Sequence, residues 1–241
     1  MGTAQKEQHM ARIAIAFMSL LLVSSTWADN LIYIDQVGSS ATITIDQDGS
    51  GNRVGSSGDE SKSDGASTTL DIDQVGSSNE LDYDVYGDNA SVTATTNGNS
   101  SDIDVQVGTT SGSNGGSDDV TISITNPGNS NTISTNVGTT ASGVDDVNID
   151  IDLTSGSGSN TVTVTENSTA TSITDKTTDI DIDGSSNTIT ATKSGASQHD
   201  TTINHTGSSS TLSITQSGAE ASTVDVTTNG STSSVTINVS D

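Results

Sequence analysis

The sequence predicts an all-β chain, a two-layer β-solenoid of about eight stacked strand-turn-strand repeats. Three observations carry the prediction. Only 29% of the 241 residues are hydrophobic and 2% aromatic, too little for an ordinary layered core. Short runs of alternating apolar and polar residues restart again and again, the period-two signature of strands. Each restart follows a turn glycine: Gly38, Gly76, Gly98, Gly128, Gly156, Gly184, Gly207 and Gly230. A fold that buries one side chain per wall and shares its backbone ladder between coils needs little apolar surface per residue.

The first 28 residues read as an export signal. Lys6 and Arg12 precede an apolar run from Ile13 to Val23, and Thr26-Trp27-Ala28 supplies small residues for cleavage. The run is shorter than the roughly 20 residues that span a bilayer. Residues 29–241 are then the repeat domain, expected outside the cell and off the membrane.

The first repeat shows the plan. Ile32, Ile34 and Gln36 alternate with Tyr33 and Asp35; Val37-Gly38-Ser39-Ser40 turns the chain; Ile43, Ile45 and Gln47 alternate with Thr42, Thr44 and Asp46. Eight pairs of strands are expected near 31–37 and 41–47, 69–75 and 79–86, 90–96 and 101–107, 119–126 and 131–137, 146–153 and 160–166, 178–183 and 187–193, 200–206 and 210–216, and 222–228 and 233–239. Length variation is expected in the second loop of each unit, as in 51–67. Leu70, Ile72, Ile122, Ile124, Ile149, Ile151, Ile180, Ile182, Leu212 and Ile214 are among the residues expected to face inward.

These repeats resemble a known family. Gln36-x-Gly38-x-x-Ala41-x-Ile43-x-x-x-Gln47 is similar to the curlin repeat of bacterial curli amyloid subunits. Gln74, Gly76 and Asn79 keep part of the pattern, as do Gly184 with Asn187, and His205, Gly207 and Ser210 with Gln216. The resemblance implies a stacked strand-turn-strand fold, export in an unfolded state and an extracellular fibre on the cell surface, for adhesion, biofilm matrix or an appendage. It also implies a secretion or nucleation partner. The chain departs from it in longer loops and in aspartates at many amide positions.

Inward amides can hydrogen-bond to their equivalents in the coils above and below. The expected ladder residues are Gln36, Gln47, Gln74, Asn79, Asn126, Asn131, Asn187, His205 and Gln216. The edges expected to polymerise are Ile32 and Ile34 at one end and Val235 and Ile237 at the other. A homopolymer would then grow head to tail, because no polar capping repeat stands at either end.

Charge and residue type exclude much else. Asp+Glu 31 against Lys+Arg 6 gives a net charge of -25, which excludes nucleic acid and anionic membranes as partners. Cys 0 removes disulfides and thiolate chemistry. With no nucleophile elbow and no His pair at metal spacing, the chain is not expected to be an enzyme. His199 is expected in a loop. No cofactor is expected except calcium, bound weakly by outward carboxylates at Asp71, Asp73, Asp150, Asp152, Asp179, Asp181 and Asp183, expected to stack in register. Asp179-x-Asp181-x-Asp183-Gly184 opens like an EF-hand loop but lacks its closing glutamate. A second outward set, Thr161, Thr163, Thr165, Thr188, Thr190, Thr192, Thr211, Ser213 and Thr215, resembles the ice-binding face of some antifreeze proteins. The alternative expectation is therefore a monomeric solenoid displaying an ice- or calcium-binding face.

Overall fold

A computed structural model gives the architecture. It describes residues 30–38, 40–49, 51–55, 61–65, 67–76, 78–86, 89–98, 100–108, 117–128, 130–138, 144–154, 158–167, 176–195, 198–218, 222–231 and 233–240. The proposed signal segment and Gly156 lie outside these residues.

Nineteen strands are described: β1 Leu31–Ile32, β2 Asp35–Val37, β3 Ala41–Asp48, β4 Arg53–Val54, β5 Ser61–Asp64, β6 Thr68–Val75, β7 Ser78–Tyr86, β8 Ala90–Asn97, β9 Ser100–Val107, β10 Ser117–Thr125, β11 Thr132–Val137, β12 Val144–Leu153, β13 Thr161–Asn167, β14 Lys176–Asp183, β15 Thr188–Ser194, β16 His199–Thr206, β17 Thr211–Ser217, β18 Thr223–Asn229 and β19 Ser234–Ser240. They form two parallel walls. Wall A runs β1-β4-β7-β9-β11-β13-β15-β17-β19, with β2 and β5 continuing its first two layers; wall B runs β3-β6-β8-β10-β12-β14-β16-β18. The chain alternates between walls at every turn, so this is a two-walled β-solenoid. At about 4.8 Å per layer, wall B is roughly 35 Å long.

The fold follows from side-chain alternation. Along β6 the pattern is buried, exposed, buried throughout, with Thr68, Leu70, Ile72 and Gln74 inside and Thr69, Asp71, Asp73 and Val75 outside. In-register stacking repeats this down the wall: Leu70 lies on Val92 and Ile72 on Ala94, then Ile122 on Ile149 and Ile124 on Ile151. The inner faces of the two walls meet in one continuous apolar core from Ile45 to Ile214. All the inward residues named from the sequence at positions 70–214 are buried.

Two expectations about the first coils are corrected. Segment 51–67 is not simply a loop: β4 and β5 within it supply a full layer of wall A. Its inward residues are Asn52, Val54, Ser61 and Ser63, all buried, and the serines carry no apolar signal. They fit because Ser61 Oγ accepts a hydrogen bond from the Ile34 N–H at 3.1 Å. The first repeat is also half a coil out of phase with the rest. Gly38 turns the chain from wall A to wall B, whereas Gly76 follows β6 and turns it from B to A. The glycine equivalent to Gly76 in the first coil is Gly49, whose carbonyl oxygen a Cβ on Gly76 would strike.

That corner explains four more of the turn glycines. A Cβ at Gly98 would meet the carbonyl of Gly76, one at Gly128 that of Gly98, one at Gly207 that of Gly184, and one at Gly230 that of Gly207. Coils stack backbone on backbone here, and only hydrogen leaves room. The longer connections lie at the opposite corner, from A to B, as after β9 and β13.

Candidate functional site: ladders, outer faces and open edges

The corrected phase reveals a repeat at the B-to-A corner. At the end of every described wall-B strand except β12 stands an inward residue, with a glycine two positions later, an asparagine or serine five positions later and an apolar residue seven positions later. Gln47-x-Gly49-x-x-Asn52-x-Val54 sets the pattern, and Gln74, Gly76, Asn79 and Leu81 repeat it. It recurs through Asn126, Gly128, Asn131 and Ile133, then Ile182, Gly184, Asn187 and Ile189, and His205, Gly207, Ser210 and Leu212.

Two polar ladders result. In wall B, Gln74 Nε2 donates to Gln47 Oε1 at 2.8 Å, and Asn126 Nδ2 donates to Thr96 Oγ1 at 2.6 Å. The column then becomes apolar at Leu153 and Ile182, and polar again at His205. The second ladder stands beside the corner. Asn30 donates to Asn52 Oδ1 at 3.3 Å; Asn131 donates to Asn160 Oδ1 at 3.1 Å; the Asn160 N–H donates to Asn187 Oδ1 at 2.9 Å; and the Asn187 N–H donates to Ser210 Oγ at 3.2 Å. Asn52 also donates to the Val75 carbonyl at 2.8 Å, and Asn187 to that of Gly184 at 3.1 Å. These bonds clip one coil to the next, and Asn52 and Asn187 also satisfy corner carbonyls.

The expected ladder residues therefore belong to three columns. Gln47, Gln74, Asn126 and His205 share one; Asn79, Asn131 and Asn187 share the second. Gln36 and Gln216 belong to neither. Both lie in wall A, in a column running Gln36, Ser63, Val85, Val107, Val137, Glu166, Lys193, Gln216 and Val239. Asn30, Asn52 and Asn160 are ladder members that the sequence reading left out. The unit Gln-x-Gly-x-x-Asn, applied in the right phase, finds Asn52.

Glu166 and Lys193 mark a feature that alternation alone conceals. Glu166, Lys176, Lys193 and His199 are all buried inside the last coils. His199 lies within β16, not in a loop. Lys193 Nζ sits 3.3 Å from Glu166 Oε1, and also donates to the Asp200 carbonyl at 2.8 Å. Thr178 reaches across from wall B to donate to Glu166 Oε1 at 2.5 Å, and Gln216 donates to Thr201 Oγ1 at 2.7 Å. Burial lowers the Lys193 pKa against the pull of Glu166. Burial first, and then Lys176 and Lys193, push His199 down to about 4, so it is neutral near pH 7. Neither of its ring nitrogens has a hydrogen-bond partner among the described residues.

On the outer face of wall B the aspartates do not form one column. Asp71 and Asp73 stack on Thr93 and Thr95, and Ser123 and Thr125 follow before Asp150 and Asp152 are reached. Two islands result. Asp46 pairs with Asp73, while Asp150 pairs with Asp179 and Asp152 with Asp181. Asp183 lies beside Thr206. Partial burial, then repulsion from Asp152 and Asp181, raises the Asp150 pKa; burial, then Asp181 and Asp150, raises that of Asp179. Among the described residues no group of three or more His, Asp or Glu is placed to hold a metal ion. Among these residues, too, no helix is long and apolar enough to cross a membrane.

On the outer face of wall A the hydroxyls do stack. Thr161, Thr163 and Thr165 lie beside Thr188, Thr190 and Thr192, which lie beside Thr211, Ser213 and Thr215. Toward the first coils the same columns hold Ser134 and then Asp82 and Asp104.

The ends of the stack differ from its middle. Val235, Ile237 and Val239 of β19 are 41%, 44% and 49% exposed although they occupy inward columns. At the other end Leu31 is 62% and Val37 76% exposed, while Ile32 and Ile34 are only packed against the rim of the core. Among the described strands, β19 pairs only with β17, β18 only with β16, and β3 only with β6.

Comparison with known proteins adds no identity: no family model, no curated protein and no solved structure matches this chain.

Proposed function

We propose that this chain is a secreted structural subunit, curlin-like, that polymerises head to tail into an extracellular fibre. The observation that carries the reading is the pair of open edges. Among the described residues the wall ends leave strand edges without a neighbour and valine and isoleucine half-exposed, which makes them templates for another strand. Solenoids that remain monomeric close their ends with polar capping repeats. The interior supports the same reading, because amide ladders and glycine corners at one-strand spacing continue as readily between subunits as within one. The strongly acidic surface keeps neighbouring fibres apart in low salt, so lateral bundling should follow added cations. The partner on this reading is a second copy of the chain, with any export or nucleation partner acting before growth. The role is structural and not enzymatic.

Negative-stain microscopy of the purified chain tests this. Unbranched fibres with a cross-β spacing support it; a monodisperse monomer that persists at high concentration overturns it. The uninterrupted hydroxyl lattice on β13, β15 and β17 favours a second reading, a monomer that displays this face to ice. Thermal hysteresis from the monomer, lost on Thr190→Lys, would select that reading. Calcium on the Asp150, Asp152, Asp179 and Asp181 island would show as a response beyond that to sodium at equal ionic strength.

A further inference from the structure

The described walls are unequal. Wall A has nine layers, counting β1 with β2 and β4 with β5 as one each, and wall B has eight. Both end layers, β1 with β2 and β19, belong to wall A. Placing β1 and β2 of a second copy on β19 would hold β3 of that copy two strand spacings, about 9.6 Å, from β18. Wall B would then lack one layer at every junction. Pairing β18 directly with β3 closes wall B, but brings β19 to the height that β1 and β2 already occupy. One of these two seven-residue segments must yield.

The columns show which. Residues 31–37 pair through Leu31 with Arg53, Ile32 with Val54, Asp35 with Lys62 and Gln36 with Ser63. Residues 234–240 stand in the same columns: Ser234, Val235, Ile237, Asn238 and Val239 follow in register from Arg53, Val54, Ser61, Lys62 and Ser63 through the intervening strands. The inward pattern is the same, Val-x-Ile-x-Val against Ile-x-Ile-x-Gln. β19 is one unbroken strand, whereas the first layer is split into two short pieces and carries exposed Leu31, Tyr33 and Val37. In wall B the matching places Ile43 with Val224, Ile45 with Val226, Gln47 with Thr228 and Asp46 with Thr227. No pair of like charges would face across this junction in either wall.

We propose that subunits join by strand exchange: β19 of one copy takes the place of β1 and β2 on β4 and β5 of the next, while β18 pairs with β3 of that same copy. This rests on the fibre reading above. Both walls then run through the junction without a missing layer. The displaced segment 31–37 leaves the stack at the Gly38 corner. The polymer repeat becomes eight layers per wall, and growth is polar, because donor and acceptor ends differ.

The absence of cysteine makes the test clean. Outward residues of adjacent parallel strands stand within disulfide range, and residues two strands apart do not. The variants are Asn238→Cys with Lys62→Cys, Thr223→Cys with Thr42→Cys, and Asn238→Cys with Asp35→Cys. Each pair is more than six layers apart within one subunit, so any bond must join two copies. Fibres of each are grown reduced, checked by microscopy, then oxidised and run on denaturing non-reducing gels. Strand exchange predicts polymer ladders from the first two variants and none from the third. Ladders from the third without the second mean intact stacking with an open wall B, and overturn the exchange while leaving the fibre reading in place. Fibres with no ladder from any pair also overturn it, and Ser234→Cys with Arg53→Cys repeats the first arm if that variant fails to assemble. A wild-type chain that forms no fibre overturns the underlying reading, and the exchange falls with it.

Discussion

Coils β6 to β12 and coils β13 to β17 use the same backbone ladder to enclose different interiors. In the first group the inward columns of wall B hold Leu70, Ile72, Val92, Ile122, Ile124, Ile149 and Ile151, all buried. In the second, inward positions hold Glu166, Lys193 and Gln216 in wall A and Lys176, Thr178 and His199 in wall B. The difference teaches that the ladder and the glycine corners define the fold, while the filling sets the conditions under which a coil is stable. Apolar filling is indifferent to pH. An interior with two lysines, one glutamate and a neutral histidine is not.

The largest expected effect comes from leaving Lys193 without its counter-charge. Glu166→Gln should destabilise β13 to β17 by about 3–5 kcal/mol, since a buried charge that loses its partner costs far more than the pair contributed. Replacing Glu166 and Lys193 together by methionine should come close to neutral. Hydrogen exchange resolved by segment checks this, with protection lost in the last coils of the single variant and kept in β6 to β12.

The next effect is pH-dependent and has a definite sign. His199 faces Lys193 from β15 and Lys176 from β14, with Glu166 of β13 and Asp200 nearby. Its pKa falls from 6.5 unfolded to about 4 folded, so the unfolded chain takes the proton first. The last coils should therefore hold full stability above pH 6.5 and lose on the order of 3 kcal/mol between pH 6.5 and 4. Asp150 and Asp179, whose pKa values are raised, oppose this on the acid side, because protonation relieves first the cost of their partial burial and then their repulsion. His199→Leu should flatten the window. Exchange rates at β15 to β17, compared at pH 7 and 4.5, read it out directly.

A smaller effect sharpens the contrast from the apolar side. Ile151→Val should cost about 1 kcal/mol through one lost methylene. That loss should be the same at pH 7 and 4.5. A pH-dependent cost would mean that the two groups of coils do not respond separately.

How much of this was legible in the sequence depends on residue type. Leu70, Ile122 and Leu212 announce an inward face because they alternate with aspartate and threonine. Ser61 and Ser63 do not, since small polar residues fit inside or outside equally well, and so a whole layer at β4 and β5 was read as loop. Lys176 and Glu166 mislead in the opposite direction: a charge at a strand end reads as solvated, and only a partner from another coil makes it an interior residue. The amide ladder was partly visible, but Gln36 and Gln47 in one short motif suggested a single column. They lie in different walls, because a chain that alternates walls at each turn can start its repeat at either corner. The aspartates were correctly placed outward, yet their stacking depended on layer spacing, which Thr93 and Ser123 interrupt.

Seeded growth of the Ile237→Pro variant tests the central claim, assembly through an open strand edge. Proline at this position removes an N–H from β19 and fixes φ, while the coils before it keep their own ladder. Wild-type fibre fragments are mixed with variant monomer, and elongation is followed by scattering and microscopy. The account predicts that variant subunits retain β structure by circular dichroism but fail to build long fibres, with elongation reduced at least tenfold against wild type. Elongation at the wild-type rate, to wild-type lengths, would contradict it.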